Sequence, residues 1–257
     1  MRSVASPQPT TAGIPNSRAM IAAWQVRPPR LVTIAAAFFM KTYRDHYFKK
    51  AKQENYPARS VYKLQEIEKQ AHLFFRGAAV LDLGACPGSW TLFAAERVGP
   101  EGRVLAIDLN PAGTAFSGQV TYLTGDMLEP GPDIREAFDR LGPFDVVISD
   151  MAPKTTGHKF TDQARSLELC EAALGVAVSR LKRGGAFVVK IFQGPDAPAY
   201  LAGLKKCFTS VRVVKPKSSR AESKEIFYVG TGFTGLPEAA AGGGEPPLPP
   251  DVPTAKD

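Results

Sequence analysis

Cysteine is scarce in this 257-residue chain: Cys86, Cys170 and Cys207 are the only three, and they stand far apart. They are too few for a disulfide framework, and no CxxC pair or Cys/His cluster suggests a zinc site. No metal is therefore expected, and a reducing compartment is the default. Long apolar runs are missing too. The longest, Leu31 to Met40, has ten residues, against the roughly 18 to 20 needed to span a bilayer. Acids are absent from residues 1–44, which carry Arg2, Arg18, Arg27, Arg30, Lys41 and Arg44.

What remains is the composition of an enzyme-sized globular protein, 44% hydrophobic and 22% charged. That excludes a wholly disordered chain and a collagen-like fibre. The length allows one large domain or two small ones. The net charge of +7 and a pI near 9.3 fit a polyanionic partner without proving one. The first 44 residues supply +6 of this charge. From Leu236 onward, four acids against Lys256 contribute −3, so the middle of the chain is only mildly basic. Any case for nucleic-acid binding must come from local patches.

Residues 1–39 are rich in Ser, Pro, Thr and Ala and show no clean periodicity. Three readings stand: an unstructured extension, a basic targeting peptide of the mitochondrial kind, or a misassigned start with translation beginning at Met40. Residues 236–257, with six prolines and three consecutive glycines, are expected to be a disordered tail. That leaves residues 40–235 as the folded domain. There β-branched runs alternate with helical stretches. The runs are Ala79–Leu83, Val104–Leu109, Val120–Thr124, Phe144–Ser149, Ala186–Phe192, Val211–Lys215 and Ile226–Gly230. Between them fall helices at Trp90–Val98, Ile134–Leu141, Asp162–Leu181 and Ala197–Cys207, the third ended by Gly184-Gly185. Alternating βα units predict an open, doubly wound, mostly parallel sheet that binds ligands at the carboxyl ends of its strands. The short link Pro216–Lys224 predicts an antiparallel last pair.

The first strand runs into DLGACPGSW, Asp82 to Trp90. Strand, glycine-rich turn and helix make a nucleotide-binding corner. Gly84 allows the tight turn and Gly88 a close ligand approach. The run is not GxGxxG, and Pro87 removes an amide that a pyrophosphate would want. Asp82 aims acid at the same corner, which suits a cationic amine. Asp108 ends the second strand, where an acid can hold a ribose diol. Asp126 follows the third, where an acid can accept from the amine of adenine. Singly, each is more often a turn former. Together on one sheet edge they describe a nucleoside carrying a cation, as in S-adenosylmethionine.

Further motifs extend this pattern: ARSVYKLQEI (Ala58–Ile67), SDMAP (Ser149–Pro153), VVKIFQG (Val188–Gly194) and SRAESKEIFYV (Ser219–Val229). With DLGACPGSW they resemble the FtsJ/RrmJ-type ribose 2′-O-methyltransferases, in the family's order and over about residues 41–233. The resemblance implies a class I S-adenosylmethionine-dependent methyltransferase fold with a seven-stranded sheet. It implies a catalytic tetrad of Lys63, Asp150, Lys190 and Glu225. It also implies a cofactor site around Asp82, Gly84, Pro87, Gly88, Trp90, Asp108, Asp126 and Asp150. Without large appended domains, the branch implied is the bacterial or mitochondrial one acting on a uridine of large-subunit ribosomal RNA. A transfer RNA enzyme with the same site is the alternative. One departure is Ser89, where the family usually has glycine. A cytoplasmic monomer with no membrane partner is expected, or a mitochondrial one if residues 1–39 are a transit peptide.

The chemistry asks for the same residue types. A ribose 2′-hydroxyl is a poor nucleophile and must lose its proton as it attacks the sulfonium methyl in line. A lysine can take that proton if burial and nearby cations weaken its own hold on one. Lys190, amid Val188, Val189, Ile191 and Phe192, is the expected acceptor, oriented by Asp150 and Glu225. For RNA contact, Lys41 to Arg59 interleaves Arg44, Lys49, Lys50 and Lys52 with Tyr43, Tyr47, Phe48 and Tyr56. That pattern reads equally as phosphate-tracking and stacking, or as an amphipathic helix with a solvated face. Lys215, Lys217, Arg220 and Lys224 form a second basic run. Lys154, His158 and Lys159 sit in the loop after Asp150. Two other classes compete. A nicotinamide oxidoreductase lacks its GxGxxG and gives no reason for the lysines. A non-catalytic RNA-binding protein on this fold would not need all four tetrad positions.

Overall fold

A computed structural model of the chain describes residues 46–220 and 222–236. The expected extension over 1–39, the tail beyond residue 236, and Lys41, Tyr43 and Arg44 of the first basic segment lie outside the described residues.

The chain alternates as expected. Helix α1 (residues 46–53) and α2 (Val61–Ala71) precede β1 (Ala79–Leu83), α3 (Ser89–Val98), β2 (Arg103–Asp108) and β3 (Val120–Thr124). Then come α4 (Pro132–Leu141), β4 (Phe144–Ser149), α5 (Lys159–Arg180), β5 (Leu181–Phe192), α6 (Ala197–Cys207), β6 (Phe208–Val214) and β7 (Glu225–Phe233). The seven strands form one sheet in the order β3-β2-β1-β4-β5-β7-β6. Neighbours from β3 to β5 are parallel, whereas β7 is antiparallel to both β5 and β6. The class I methyltransferase sheet is thus the observed architecture.

Each face of the sheet is covered by helices, as continuous runs of buried apolar residues require. On one face Leu81, Leu105, Val147, Phe187 and Val189 pack with α4, α5 and α6. On the other, Val80, Val104, Ile148, Val188 and Phe227 pack with α2 and α3. Phe144, Phe187 and Phe227 are fully buried, each contributing roughly 1.5–3 kcal/mol of transfer free energy. One expectation is corrected. Gly184-Gly185 do not close α5, which stops at Arg180 and passes directly into β5 at Leu181. Leu181 pairs with Phe144 and Ala186 with Val146, so the residues between form an irregularity inside the strand. Gly184 takes φ +81° there, a backbone region open to glycine at no steric cost.

The parallel strands β1, β2, β3 and β4 end together at one edge of the sheet. The antiparallel register sets Phe192 opposite Glu225 and Lys190 opposite Phe227. Lys190 and Glu225 therefore share the face covered by α2, two positions apart on adjacent strands.

Candidate active site

The turn after β1 forms one wall of a cleft. Gly84 has φ +77° and Gly88 φ +111°. A Cβ at Gly84 would stand 2.6 Å from Met151 Cγ, and one at Gly88 2.8 Å from Phe116 Cζ. Both positions demand glycine, for conformation and for space. Cys86 and Pro87 are joined by a cis peptide, and the Pro87 carbonyl accepts the Gly113 N–H at 3.1 Å. The cleft has a volume of about 750 Å³, and Gly84, Asp108, Asp126, Leu128, Asp150 and Met151 line it.

The carboxylates that line it and the one buried on β1 differ in surroundings. Asp108 Oδ2 accepts the Cys86 N–H at 3.0 Å, while Oδ1 accepts the Asn110 N–H and Nδ2 at 2.8 and 3.1 Å. A carboxylate offers about four acceptor sites, so one remains on Oδ2. Asp126 is exposed, its Oδ1 accepting the Leu128 N–H at 2.8 Å. Asp82 is fully buried on β1. Its Oδ2 accepts the Thr91 hydroxyl at 2.7 Å, and its Oδ1 has no hydrogen-bond partner. Burial pushes the Asp82 carboxyl up to about 7, against the hydrogen bond from Thr91 and aided by the charges of Asp150 and Asp108. A buried carboxylate with an unpartnered oxygen is costly unless a cation pairs with it.

Pro87 and Gly88 shape the turn without lining the cleft. Nor does the Trp90 side chain line the cleft. Its indole is buried, donates to the Ser60 carbonyl at 2.9 Å, and lies 5.8 Å from the Phe227 ring. It holds α3 against the sheet and the segment before α2, away from the cleft. Ser89, the departure from the family's glycine, is used similarly. Its hydroxyl donates to the Ala58 carbonyl at 3.0 Å and accepts the Ala58 N–H at 2.7 Å.

Lys63, Asp150, Lys190 and Glu225 come together beside this cleft in two ion pairs. Lys190 is 7% exposed, its Nζ 2.8 Å from Asp150 Oδ1 and 2.5 Å from the Asp150 carbonyl oxygen. Lys63 Nζ lies 2.5 Å from Glu225 Oε1 and 5.8 Å from the Phe227 ring centroid. The Ser219 hydroxyl donates to Glu225 Oε1 at 3.1 Å. Asp150 belongs to both constellations, since it also lines the cleft. Two ammonium groups and two carboxylates, mostly shielded from water, can orient a hydroxyl and move its proton.

Several participants carried no sequence signal strong enough to be singled out. Thr91 holds Asp82, Ser219 holds Glu225, and Asn110 steadies Asp108. An Asn two residues after a strand-ending Asp is a turn signal that points to the last of these. Glu66 accepts the Lys217 and Ser218 N–H groups at 2.6 and 2.9 Å, fastening the second basic run to α2. Nothing local in sequence announces that contact.

In the first basic segment, the structure favours the amphipathic helix. Tyr47 packs on Tyr62 with centroids 5.2 Å apart, and the Tyr56 hydroxyl donates to Glu96 at 2.7 Å. Lys49, Lys52 and Phe48 stay exposed. Burial and the charge of Asp108 push the Cys86 thiol up, away from a reactive thiolate. Among the described residues, no cluster of His, Cys, Asp and Glu could hold a metal ion, and no helix is long and apolar enough to cross a membrane.

Comparison with known proteins gives the family. The family model of FtsJ-like methyltransferases matches residues 56–233. A ribosomal RNA large subunit methyltransferase E from Oleidesulfovibrio alaskensis is 60% identical over 206 residues, 80% of this chain and 100% of that protein. The protein of that name from Lawsonia intracellularis is 50% identical, covering 76% of this chain and 97% of its own. A solved Plasmodium falciparum chain, described as a ribosomal RNA methyltransferase, aligns with a TM-score of 0.62 at 25% identity, over 70% of this chain and all of that one. Cleft, ion pairs and relatives converge, and the chain belongs to the FtsJ-like methyltransferase family.

Proposed function

We propose that the protein transfers a methyl group from S-adenosylmethionine to the ribose 2′-hydroxyl of a uridine in large-subunit ribosomal RNA. The observation that carries this reading is the pairing of Lys190 with Asp150 and of Lys63 with Glu225, with Asp150 also lining a cleft formed by the turn after β1, the strand that buries the partnerless Asp82 oxygen. The names of the relatives supply the substrate class.

The cleft suits the donor. Asp82 offers a desolvated carboxylate to an amino group, Asp108 keeps an acceptor site for a ribose diol, and Asp126 can accept from the adenine amine. Exposed Leu109 and Leu128 add apolar walls to the cleft. When bound, S-adenosylmethionine supplies an electrophilic methyl on a positively charged sulfur. The protein's own groups do the rest. Asp150 fixes Lys190 Nζ through its carboxylate and carbonyl; once its ammonium has given one proton to solvent, the neutral amine turns its lone pair to the substrate hydroxyl. Lys63 and Glu225 hold each other on the same face and frame the ribose from the far side. The ribose oxygen forms its bond to the methyl carbon as the carbon–sulfur bond breaks, and Lys190 Nζ takes the hydroxyl proton. The setting proposed is the cytoplasm, in keeping with three unpaired cysteines.

The deciding experiment incubates the full chain and methyl-labelled donor with separated large ribosomal subunits, free ribosomal RNA and transfer RNA. Label recovered as 2′-O-methyluridine from ribosomal RNA is expected. Label confined to transfer RNA overturns the substrate, and label on a nucleobase overturns the ribose assignment. Two subsidiary results are expected. Asp108→Ala weakens donor binding by roughly 10- to 150-fold, the scale of a lost charge-assisted contact, as calorimetry would read. Lys217→Ala weakens RNA binding and flattens its salt dependence by about one phosphate contact, whereas donor affinity stays constant.

A further inference from the structure

Phe160 stands on the second residue of α5 and is 75% exposed, more than the other large apolar side chains described as exposed. An apolar ring so placed has no folding rationale, because the α5 residues that pack inward are Asp162, Gln163, Ser166, Cys170, Ala173 and Ala177. Its surroundings point to a use.

The loop from Met151 to Thr161 leaves the active site directly after Asp150 and contains no acid, but carries Lys154, His158 and Lys159. Lys159 Nζ lies 6.0 Å from the Phe160 ring centroid. The loop is also held. Asp162 Oδ1 accepts the Thr156 N–H at 2.7 Å and its hydroxyl at 2.9 Å, and Oδ2 accepts the Gly157 N–H at 3.3 Å. Phe160 is therefore presented on a fixed turn.

Helix periodicity fixes the direction. Arg165, Glu168 and Leu169 line the donor cleft on one flank of α5. Gln163 occupies the other flank, its side-chain amide donating to the Gln193 carbonyl just past the end of β5. The Ser166 hydroxyl accepts the Phe192 N–H at 3.0 Å, pinning the same end of the helix to β5. Phe160 lies three residues before Gln163 and continues that second flank. It thus sits at the start of the helix whose opening turns are pinned to the end of β5, the strand that carries Lys190.

We infer that Phe160 is a substrate-positioning residue on which a nucleobase next to the reacting ribose stacks, with Lys154 and Lys159 taking the adjoining phosphates. This rests on the RNA reading above and gives its substrate a landing point. A nucleobase is the fitting occupant because an exposed aromatic ring with Lys159 beside it, following a loop that carries cations and no acid, matches a stacked base flanked by phosphates. An apolar protein surface would have no use for the cations.

The test compares Phe160→Ala, Phe160→Leu and Phe160→Trp in the full chain, with large-subunit ribosomal RNA as probe. Phe160→Ala and Phe160→Leu are expected to weaken RNA binding by about 5- to 100-fold, the scale of one lost stacked base. Donor affinity, melting temperature and the salt slope stay as in the wild type. Phe160→Trp retains affinity, and its added fluorescence is quenched on RNA addition. Lys159→Ala, by contrast, lowers the salt slope by about one. Unchanged affinity in Phe160→Ala, full activity in Phe160→Leu, or no quenching in Phe160→Trp overturns the stacking role. If these occur while the wild type methylates ribosomal RNA, only this inference falls. If the wild type transfers no label to RNA, the functional reading fails separately, and the quenching titration still decides the stacking.

Discussion

Lys190→Ala is expected to lower the single-turnover methyl-transfer rate by about 10²-fold or more, at saturating RNA and donor, the usual scale of lost proton-transfer and orienting help. Lys190 is the most buried of the four charged groups, and both its close contacts are to Asp150. Asp150→Ala should fall by a similar factor, since it releases the Lys190 Nζ that it holds. Lys190→Ala should not much alter donor affinity, because the amine, ribose and adenine contacts proposed lie on Asp82, Asp108 and Asp126; Asp150 also lines the cleft, so its variant is compared at saturating donor. The two losses should also be strongly non-additive. Once Asp150 is gone, Lys190 no longer sits where it can act, so the double variant resembles either single one. Glu225→Gln should cost less, because Gln still accepts from Ser219 and Lys63. Melting temperatures separate chemistry from folding, since removing one partner of a buried pair leaves the other uncompensated. A Lys190→Ala protein that methylates at the wild-type rate under those conditions removes Lys190 from the chemical step.

The strands were legible because parallel strands buried on both faces must be continuous apolar runs. Ala79–Leu83, Val120–Thr124 and Phe144–Ser149 follow those runs residue for residue. Helix-to-strand boundaries were not. A glycine pair after an amphipathic run normally closes a helix, yet here the strand partner Phe144 captures Leu181 first and the glycines become an irregularity in β5. Local pattern cannot weigh a hydrogen-bonding partner 37 positions away. The insertion of β7 between β5 and β6 was equally silent, although it makes the site, for it brings Glu225 beside Lys190 and within 2.5 Å of Lys63. Those positions came from resemblance, and no spacing rule would have joined residues so distant in the chain. Trp90 ends the turn motif, and the helical turn that starts at Ser89 directs its ring into the core against Phe227, a packing partner that the motif does not announce.

Asp82→Asn is expected to make the donor-free protein more stable above neutral pH while weakening donor binding by roughly 10- to 150-fold. The first effect follows from linkage. An aspartate titrates near 3.9 in the unfolded chain, whereas burial raises Asp82 to about 7 in the folded one. Between those values the folded state binds more protons than the unfolded state, so Asp82 lowers stability progressively as pH rises through that window. Above about 7 the full cost is present, on the order of a few kcal/mol. Asparagine keeps an acceptor for the Thr91 hydroxyl and carries no charge to desolvate. Thermal unfolding of both proteins should therefore show Asp82→Asn ahead at alkaline pH, with the gap closing toward about pH 4. The second effect shares its origin. A bound ammonium favours the ionised carboxylate, so donor binding to the wild type should release a proton and strengthen as pH rises from about 5.5 to 7, below the range where an α-amino group titrates. Asp82→Asn should lose that slope along with the affinity. Calorimetry in two buffers of different ionisation enthalpy reads the proton release directly. A wild-type affinity flat across that range, or an asparagine variant that binds as tightly, would leave Asp82 a buried acid with no cation to meet.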